Sequence, residues 1–222
     1  MSEDMLLFSE FPSRMVTAAL RFVAHGGPAT VLNYLHFVRS GDGMRIEATD
    51  AYRAIRLSTP LADARKDKVD FDLIIDCGEA HISKRYASAS LMGDGRNYRI
   101  VTTNPSSGFT KTLYVGMLND RFADKPGGIF PNLDKIFPAE DSAFDGYVGA
   151  GFASDSLTDI CKAARDIGAP GIVMRGTAHD TKSKSVGAVV FEAEGCGVTM
   201  RALLMPQRGG QRRAYVMYGD AS

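Results

Sequence analysis

Residues 48–54 read Ala48-Thr49-Asp50-Ala51-Tyr52-Arg53-Ala54 and join two segments that have the patterns of β-strands. Residues 44–49 alternate apolar and polar side chains, and residues 54–58 form a second short segment beyond the junction. An Asp at the end of a strand commonly fixes a turn through its own side chain. The stretch therefore predicts the last hairpin of a small antiparallel meander.

This hairpin closes a unit that is written three times along the chain. The first unit opens with a strand at 6–9 and a helix at about 13–25, with Ser13 as N-cap and Gly26-Gly27 as stop. The order of strand, helix and meander returns at a spacing of roughly 70 residues, which indicates an internal repeat. The other predicted elements are strands at 32–38, 71–75, 98–103, 109–115, 147–152, 172–177, 186–194 and 198–205, a helix from near Gly78 to between Tyr86 and Leu91, and a helix at 155–167 between Ser154 and Gly168.

The repeat predicts an α+β fold of about three half-modules. Its domains are predicted as two half-modules at 5–116, a Pro- and Gly-containing linker at 117–146, a third half-module at 147–208 and a tail at 209–222. One unit cannot cover its own apolar sheet face, so we expect units to pack in pairs. Counting in pairs leaves the third half-module alone with an exposed edge, which favours a homo-oligomer. The alternative is a generic α+β protein without internal symmetry.

Composition restricts the function classes. Twenty-six basic and twenty-six acidic side chains cancel, so bulk attraction to nucleic acid is not expected, although one basic face remains possible. The sequence has no apolar run of roughly 18 residues and no basic leader, so neither a membrane span nor a signal peptide is predicted. Cys77, Cys161 and Cys196 lie far apart outside any CxxC motif, which is typical of free thiols in the cytoplasm.

The sequence carries no catalytic motif. It has no P-loop, no GxSxG, no HExxH and no Cys or His pair at metal spacing. The four histidines are scattered, and His36, within a strand pattern, is expected to be packed or at an edge rather than catalytic. We therefore predict a protein that is not an enzyme and that needs no cofactor or metal. The alternative that this prediction must be weighed against is a small enzyme on an unrelated α+β fold.

Three segments together resemble one family, the bacterial sliding clamps that serve as processivity subunits of replicative DNA polymerase. Residues 48–54 look like the clamp segment ATDGHRLA, residues 130–138 (FPNLDKIFP) resemble its FPDYRRVLP linker, and residues 203–208 (LLMPQR) resemble its carboxyl-terminal VVMPMRL. The resemblance places residues 5–140 on the middle clamp domain and residues 146–208 on the second half of the last domain. The first domain and the first half of the last one have no counterpart in this sequence.

The resemblance implies a DNA-clamp fold and two binding surfaces. Basic residues on the outward faces of the three helices would contact the phosphates of double-stranded DNA. A hydrophobic pocket would capture linear peptide motifs of DNA polymerase, clamp-loader or repair proteins. The DNA-facing residues would be Arg14, Arg21, Lys84, Arg85, Lys162 and Arg165. The pocket residues would be Thr49, Ala51, Tyr52, Arg53, Ala54, Pro131, Lys135, Ile136, Leu203, Leu204, Met205, Pro206, Gln207 and Arg208, with Arg53 and Arg208 orienting carbonyl or acidic groups.

Two functional hypotheses follow from the resemblance. The first is a processivity or scaffold protein that encircles or contacts DNA and docks partners. The second is a diverged clamp fragment that regulates or competes for clamp partners without encircling DNA. The third units of two chains could pair as a homodimer and cover the exposed edge. Head-to-tail closure of a ring would instead need twelve modules and hence four chains of three, whereas a strand at 214–217 could cap the edge of a monomer. Ala51, Tyr52, Ala54 and Gln207 differ from the family pattern of Gly, His, Leu and Met.

Overall fold

The computed structural model describes residues 5–6, 11–25, 30–41, 43–60, 70–77, 88–93, 98–104, 106–117, 129–137, 143–144, 152–177 and 188–205. Six predictions lie wholly or largely outside these residues: most of the opening strand of the first unit at 6–9, the helix stop at Gly26-Gly27, the body of the second helix, most of the opening strand of the third unit, much of the linker, and the tail.

Within these ranges the chain forms thirteen strands, two α-helices and three short 3₁₀ turns. The strands are β1 (Met5–Leu6), β2 (Phe11–Pro12), β3 (Leu35–Ser40), β4 (Gly43–Thr49), β5 (Arg53–Pro60), β6 (Phe71–Asp76), β7 (Ser88–Gly93), β8 (Tyr98–Thr103), β9 (Thr110–Met117), β10 (Ala143–Phe144), β11 (Val173–Thr177), β12 (Val189–Gly195) and β13 (Val198–Leu204). The helices are α1 (Arg14–Ala19) and α2 (Ser154–Asp166), and the 3₁₀ turns are Leu20–Phe22, Val31–Asn33 and Leu133–Lys135. No helix in the described ranges is long and apolar enough to cross a membrane.

The strands form one continuous antiparallel sheet in which units exchange their opening strands. The order is β1-β7-β8-β9-β6-β3-β4-β5-β13-β12-β11-β10, with β2 also paired to β7. Strands β1 and β2 of the first unit thus extend the meander of the second unit. In return, β6 of the second unit pairs with β3 of the first. This exchange makes the first two units one interlocked sheet system.

The third unit is joined to the first. Strand β13 runs antiparallel to β5 from Thr199 opposite Ser58 to Leu204 opposite Arg53. Helices α1 and α2 pack against each other on the same side of the sheet. The prediction that the third half-module stands unpaired is therefore wrong, because pairing is not confined to consecutive units. The edge of β13 and one flank of α2 are covered within the chain.

The sheet separates an apolar inner face from a mixed outer face. Alternate side chains, such as Leu35 and Phe37 of β3 and Ile55 and Leu57 of β5, join the main core beneath the helices. The residues between them point to the opposite, outer face. Met15, Val16, Ala18 and Ala19 bury α1 in the core, as Ile160, Ala163 and Ala164 do for α2. Met44, Ile46 and Ala48 also join the main core, which confirms the alternation predicted for residues 44–49.

Several boundaries differ from the prediction. Residues 88–93 form a strand with alternating burial, not the end of the second helix. Helix α1 ends at Ala19 and continues only as a 3₁₀ turn, and the side chain of Ser13 makes no cap hydrogen bond. The N-cap of α2 is Ala153, with Ser154 as the first helical residue. The helix ends where predicted, because Gly168 has a φ of +78° and adopts the left-handed conformation that glycine favours.

Candidate docking site

A segment that we call the strap, residues 129–137, crosses the outer face of the sheet. Asn132 accepts a hydrogen bond from the backbone nitrogen of Asp134 (2.9 Å), which starts the 3₁₀ turn Leu133–Lys135. The Phe137 nitrogen then donates to the Leu133 carbonyl at 2.8 Å. This fold of the strap turns three apolar side chains, those of Phe130, Leu133 and Phe137, down onto the sheet, where they are buried.

Beneath the strap lies an apolar cluster that is separate from the main core. Ala54 of β5 and Leu203 of β13 face each other in register and form its floor. The three strap side chains cover this floor, and Val31 and Ile74 complete the cluster. The structure therefore brings together the three segments on which the family resemblance was based.

The segments that form the floor and the strap also carry exposed apolar side chains. Tyr52 is 76% exposed, and Ile136 and Met205 are each 44% exposed. The backbone nitrogen of Met205 donates to the Tyr52 carbonyl at 3.0 Å, so the end of β13 is tied to the turn before β5. Large apolar side chains with this exposure, next to a buried apolar floor, form a surface suited to binding an apolar partner.

The turn that presents Tyr52 is fixed by two side chains. Asp50 accepts hydrogen bonds from the backbone nitrogens of Tyr52 (3.0 Å) and Arg53 (2.9 Å). Thr49 donates to the Arg53 carbonyl (2.8 Å) and accepts from the Ala51 nitrogen (3.2 Å). Ala51 has a φ of +73°, in the left-handed region where an L side chain is strained. The turn predicted from Thr49 and Asp50 is present, and it places Tyr52 in solvent.

A row of charged side chains runs across the outer face beside the apolar floor. The row, which we call the charge row, consists in register of Glu192, Arg201, Arg56, Glu47 and His36, one from each of five neighbouring strands. Arg56 donates to Glu47 (2.6 Å) and pairs with Asp134 of the strap (2.7 Å). Arg56 and Arg201 both lie over the ring of Phe137, each 5.4 Å from its centroid. The charge row therefore supports the strap.

The electrostatics of the charge row centre on Glu47, which is buried. Burial by itself would raise the pKa of this carboxyl, but the hydrogen bond from His36 and the charge of Arg56 hold it below its usual value. Burial likewise opposes a charged His36, yet its hydrogen bonds to Glu47 and Asp72 raise the pKa of the imidazole above its usual value. Both groups are therefore favoured in their charged forms.

Arg53 does not point toward a ligand. Its guanidinium pairs with Asp50 at 2.8 Å and with Asp159 of α2 at 2.7 Å, and it donates to the Arg21 carbonyl at 2.9 Å. It also lies over the ring of Phe22, 5.2 Å from the centroid. These contacts occupy the group that was expected to orient a bound peptide. Arg53 instead joins its own turn to α2 and to the 3₁₀ turn that follows α1.

The basic side chains predicted to face DNA have different environments. Arg21 makes two hydrogen bonds to Asp166, at 2.9 and 2.8 Å, and the Asp166 side chain is only 3% exposed. Arg14 is half-buried and lies 3.7 Å from the Cys196 sulfur. Lys162 is half-buried and Arg165 is exposed on α2. Lys84 and Arg85 lie outside the described residues. Arg21 thus connects the two helices of the junction between the first and third units.

The remaining predicted pocket residues divide by position. Pro131 is half-buried and Lys135 is exposed on the strap. Thr49 and Leu204 are buried, with Leu204 in the main core. Pro206, Gln207 and Arg208 lie outside the described residues. The sequence analysis did not predict the role of His36, Arg56 and Arg201. Each of them stands between apolar residues within a strand, and this pattern could have indicated charged side chains on the outer face of the sheet.

A groove of about 380 Å³ at the end of α1 offers a second concave surface. It is lined by Leu20, Val23, Ala24, His25, Asn33, Tyr34, Leu35, Asp76 and Cys77. Burial, with a smaller contribution from Asp76, raises the pKa of the Cys77 thiol to about 12, so this thiol is protonated and unreactive at neutral pH. Among the described residues, no cluster of His, Cys, Asp and Glu could hold a metal ion.

Comparison with known proteins gives a likeness of fold. No protein-family model matches the chain, and no curated protein matches it in sequence. A DNA polymerase III beta subunit and a DNA polymerase sliding clamp, both from Pseudomonas aeruginosa, match its structure with TM-scores of 0.51 at 12% and 13% identity, over 91% and 90% of this chain and 67% and 66% of theirs. The beta subunit of Streptococcus pyogenes DNA polymerase matches 90% of this chain and 66% of its own, with a TM-score of 0.47 and 13% identity.

The chain therefore has a clamp-like α+β fold, as predicted. It spans about two thirds of the length of these solved proteins. At such identities the likeness concerns the fold, and functional statements about this chain are proposals.

Proposed function

We propose that the chain is a clamp-like scaffold that docks short linear peptides of DNA replication or repair proteins at the site between Tyr52, Ile136 and Met205. The observation that carries this proposal is the apolar floor of Ala54 and Leu203, covered by the strap, together with the exposure of Tyr52, Ile136 and Met205 on the same three segments. The protein would act by binding and not by catalysis.

The geometry suits a peptide better than a small molecule. The floor spans two paired strands and is covered by the strap, so the region exposed around it is a surface and not an enclosed cavity. Aromatic and Met side chains are enriched at protein interfaces, where they bury large apolar areas, and Tyr is frequent among the residues that dominate binding energies. Tyr52 and Met205 are therefore expected to contribute most of the affinity.

The proposal includes contact with double-stranded DNA by a homo-oligomer. Arg14, Lys162 and Arg165 remain available on the helix side to contact phosphates, and Lys84 and Arg85 are predicted there from sequence. The partners that bring such a scaffold to work would be a DNA polymerase, a clamp loader or repair proteins. A complete ring would need more than one copy of the chain.

A second candidate is a regulator that competes for clamp partners without encircling DNA. The pairing of Arg21 with Asp166 favours this alternative, because it removes one predicted phosphate contact. Helix α2 also carries Asp155 and Asp159 beside Lys162 and Arg165, so its charges nearly cancel. DNA affinity and its salt dependence distinguish the two candidates.

Calorimetry with a peptide that carries the clamp-binding motif of the family tests docking. We expect binding to the unmodified protein and a loss of about tenfold in affinity for Tyr52→Ala and for Met205→Ala. Phe109→Ala is a matched control, because Phe109 is another exposed aromatic residue (74%) that lies outside the site. Equal affinity in Tyr52→Ala, Met205→Ala and Phe109→Ala would refute docking at this site.

A further inference from the structure

His36 occupies the position where the charge row meets the strap. It is a buried residue of β3, and its ring stacks on Phe130 with centroids 4.5 Å apart and planes inclined by 29°. Its Nδ1 lies 2.9 Å from a Glu47 oxygen, and its Nε2 lies 2.8 Å from an Asp72 oxygen. Both ring nitrogens therefore face carboxylates.

This geometry specifies the protonation state of the ring. A neutral imidazole has one N–H donor and one lone pair, whereas the imidazolium has two donors. An ionised carboxylate can accept hydrogen bonds but cannot donate them. With a carboxylate at hydrogen-bond distance from each nitrogen, a neutral His36 would turn one lone pair toward an acceptor. The two ring nitrogens and the two carboxylates all form hydrogen bonds only when both nitrogens of His36 carry a proton.

The protonated ring is connected to the strap by two routes. The direct route is the stack on Phe130, since a cation at an aromatic face is attracted to the ring. The indirect route runs through Glu47 to Arg56, which holds Asp134 and lies over Phe137. Among the described residues, Arg45 is a further charged group near these carboxylates, 3.9 Å from Glu47 and 3.7 Å from Asp134. Loss of the positive charge on His36 weakens both routes.

We propose that His36 is a positioning residue of the docking site: as an imidazolium it holds the strap against the sheet, and deprotonation loosens the strap and weakens peptide binding. This inference rests on the docking function proposed above. It assigns to His36 a role that acts through Phe130 and the strap, without contact to the peptide.

The direction of the pH dependence follows from the charges. The pKa of His36 in the folded protein is raised from 6.5, so its contribution is complete below that value and is lost as the pH rises through the folded pKa. Glu47 has a lowered pKa and stays ionised throughout this range. Between about pH 6 and about pH 8.5 we expect peptide affinity to fall by about threefold to tenfold.

Nuclear magnetic resonance of the unliganded protein tests the coupling without any peptide. We expect the His36 ring and the backbone amides of the strap to titrate with one common midpoint above 6.5. In His36→Gln the titration of the strap amides should disappear, whereas His25→Gln, at an exposed histidine, should leave it unchanged. Phe130→Leu retains the titrating ring but removes the stack, and should reduce the response of the strap. Strap amides that do not follow His36 in the unmodified protein would overturn the proposal.

Peptide calorimetry at the two pH values then separates this inference from the docking function. A fall in affinity that is lost in His36→Gln supports both. Binding that is independent of pH overturns the role of His36 and leaves docking intact. A strap that follows His36 in a protein that binds no peptide at either pH overturns docking and supports the coupling.

Discussion

Charged residues serve two different purposes on the two sides of the sheet. On the helix side they form pairs between the first and third units, as Arg21 does with Asp166 and Arg53 with Asp159, and Arg53 also binds Asp50 of its own turn. On the outer face they form a continuous row whose members share partners, with Glu47 bound to both His36 and Arg56. The first arrangement holds two units together, and the second supports the strap. The position of a basic residue along the sequence does not distinguish these purposes, and neither does the burial of its carboxylate partner, because Asp166 and Glu47 are both 3% exposed. The side of the sheet that the basic residue faces does distinguish them.

The largest effect is expected from breaking the helix-side junction. Arg21→Ala removes both hydrogen bonds to a carboxylate that is 3% exposed, and should lower the free energy of unfolding by about 2–4 kcal/mol. Arg165→Ala, at an exposed basic residue of the same region, should change it by less than about 0.5 kcal/mol. Urea unfolding of the two variants provides the measurement. If Arg21→Ala were as stable as Arg165→Ala, Arg21 would not be a structural residue, and its predicted role as a DNA contact would be restored.

A smaller effect is expected at the strap. Leu133→Ala truncates a buried side chain and should cost about 2 kcal/mol, near the lower end for such changes, because a single segment can settle onto the floor more easily than a paired strand. Leu57→Ala, in the middle of β5, should cost about 3–4 kcal/mol. Hydrogen exchange at the Phe137 amide should accelerate in Leu133→Ala. If Leu133→Ala lowered the free energy of unfolding as much as Leu57→Ala does, the strap would be part of the cooperative core.

The smallest effect should come from the turn that presents Tyr52. Ala51→Gly relieves the strain of a φ of +73°, and we expect a gain of about 0.5 kcal/mol in the free energy of unfolding. Gly41→Ala is the inverse control, because Gly41 has a φ of +57° and an added Cβ would meet no atom within 4 Å. It should therefore lose about 1 kcal/mol from backbone strain alone. Thermal unfolding resolves both changes, and destabilisation by Ala51→Gly would contradict the strain.

Local pattern predicted the elements that bury one face of the sheet. Strand β4 was predicted from the alternation of apolar and polar residues along it, and β5 from its place as the segment that closes the meander. Strand β7 was missed because its first half, Ser88-Ala89-Ser90, is small and lacks the branched and aromatic residues that mark strands. A sequence pattern of this kind reports which face is buried, and small residues make that report weak.

Long-range pairings could not be predicted from the same information. The family resemblance identified the three segments that meet at the docking site, since each is a short motif. It assigned Arg53 to ligand binding, whereas its partner Asp159 lies 106 residues further along the chain. The pairing of the first and third units was also not predicted. The sequences of β5 and β13 do not by themselves specify that these two strands are neighbours. Such contacts depend on which edges remain free after the local meanders have formed.

The pairing of β5 with β13 also has a consequence for biosynthesis. The hydrogen bond from Thr59 to Gly197 alone spans 138 residues, so β5 emerges from the ribosome long before the strand that covers its edge. During this interval the first unit presents the unpaired edge of β5 to its surroundings. Contacts of this separation slow folding, and uncovered edges favour association with other chains. The slowest step of folding should therefore be the arrival of the carboxyl-terminal unit at the amino-terminal one.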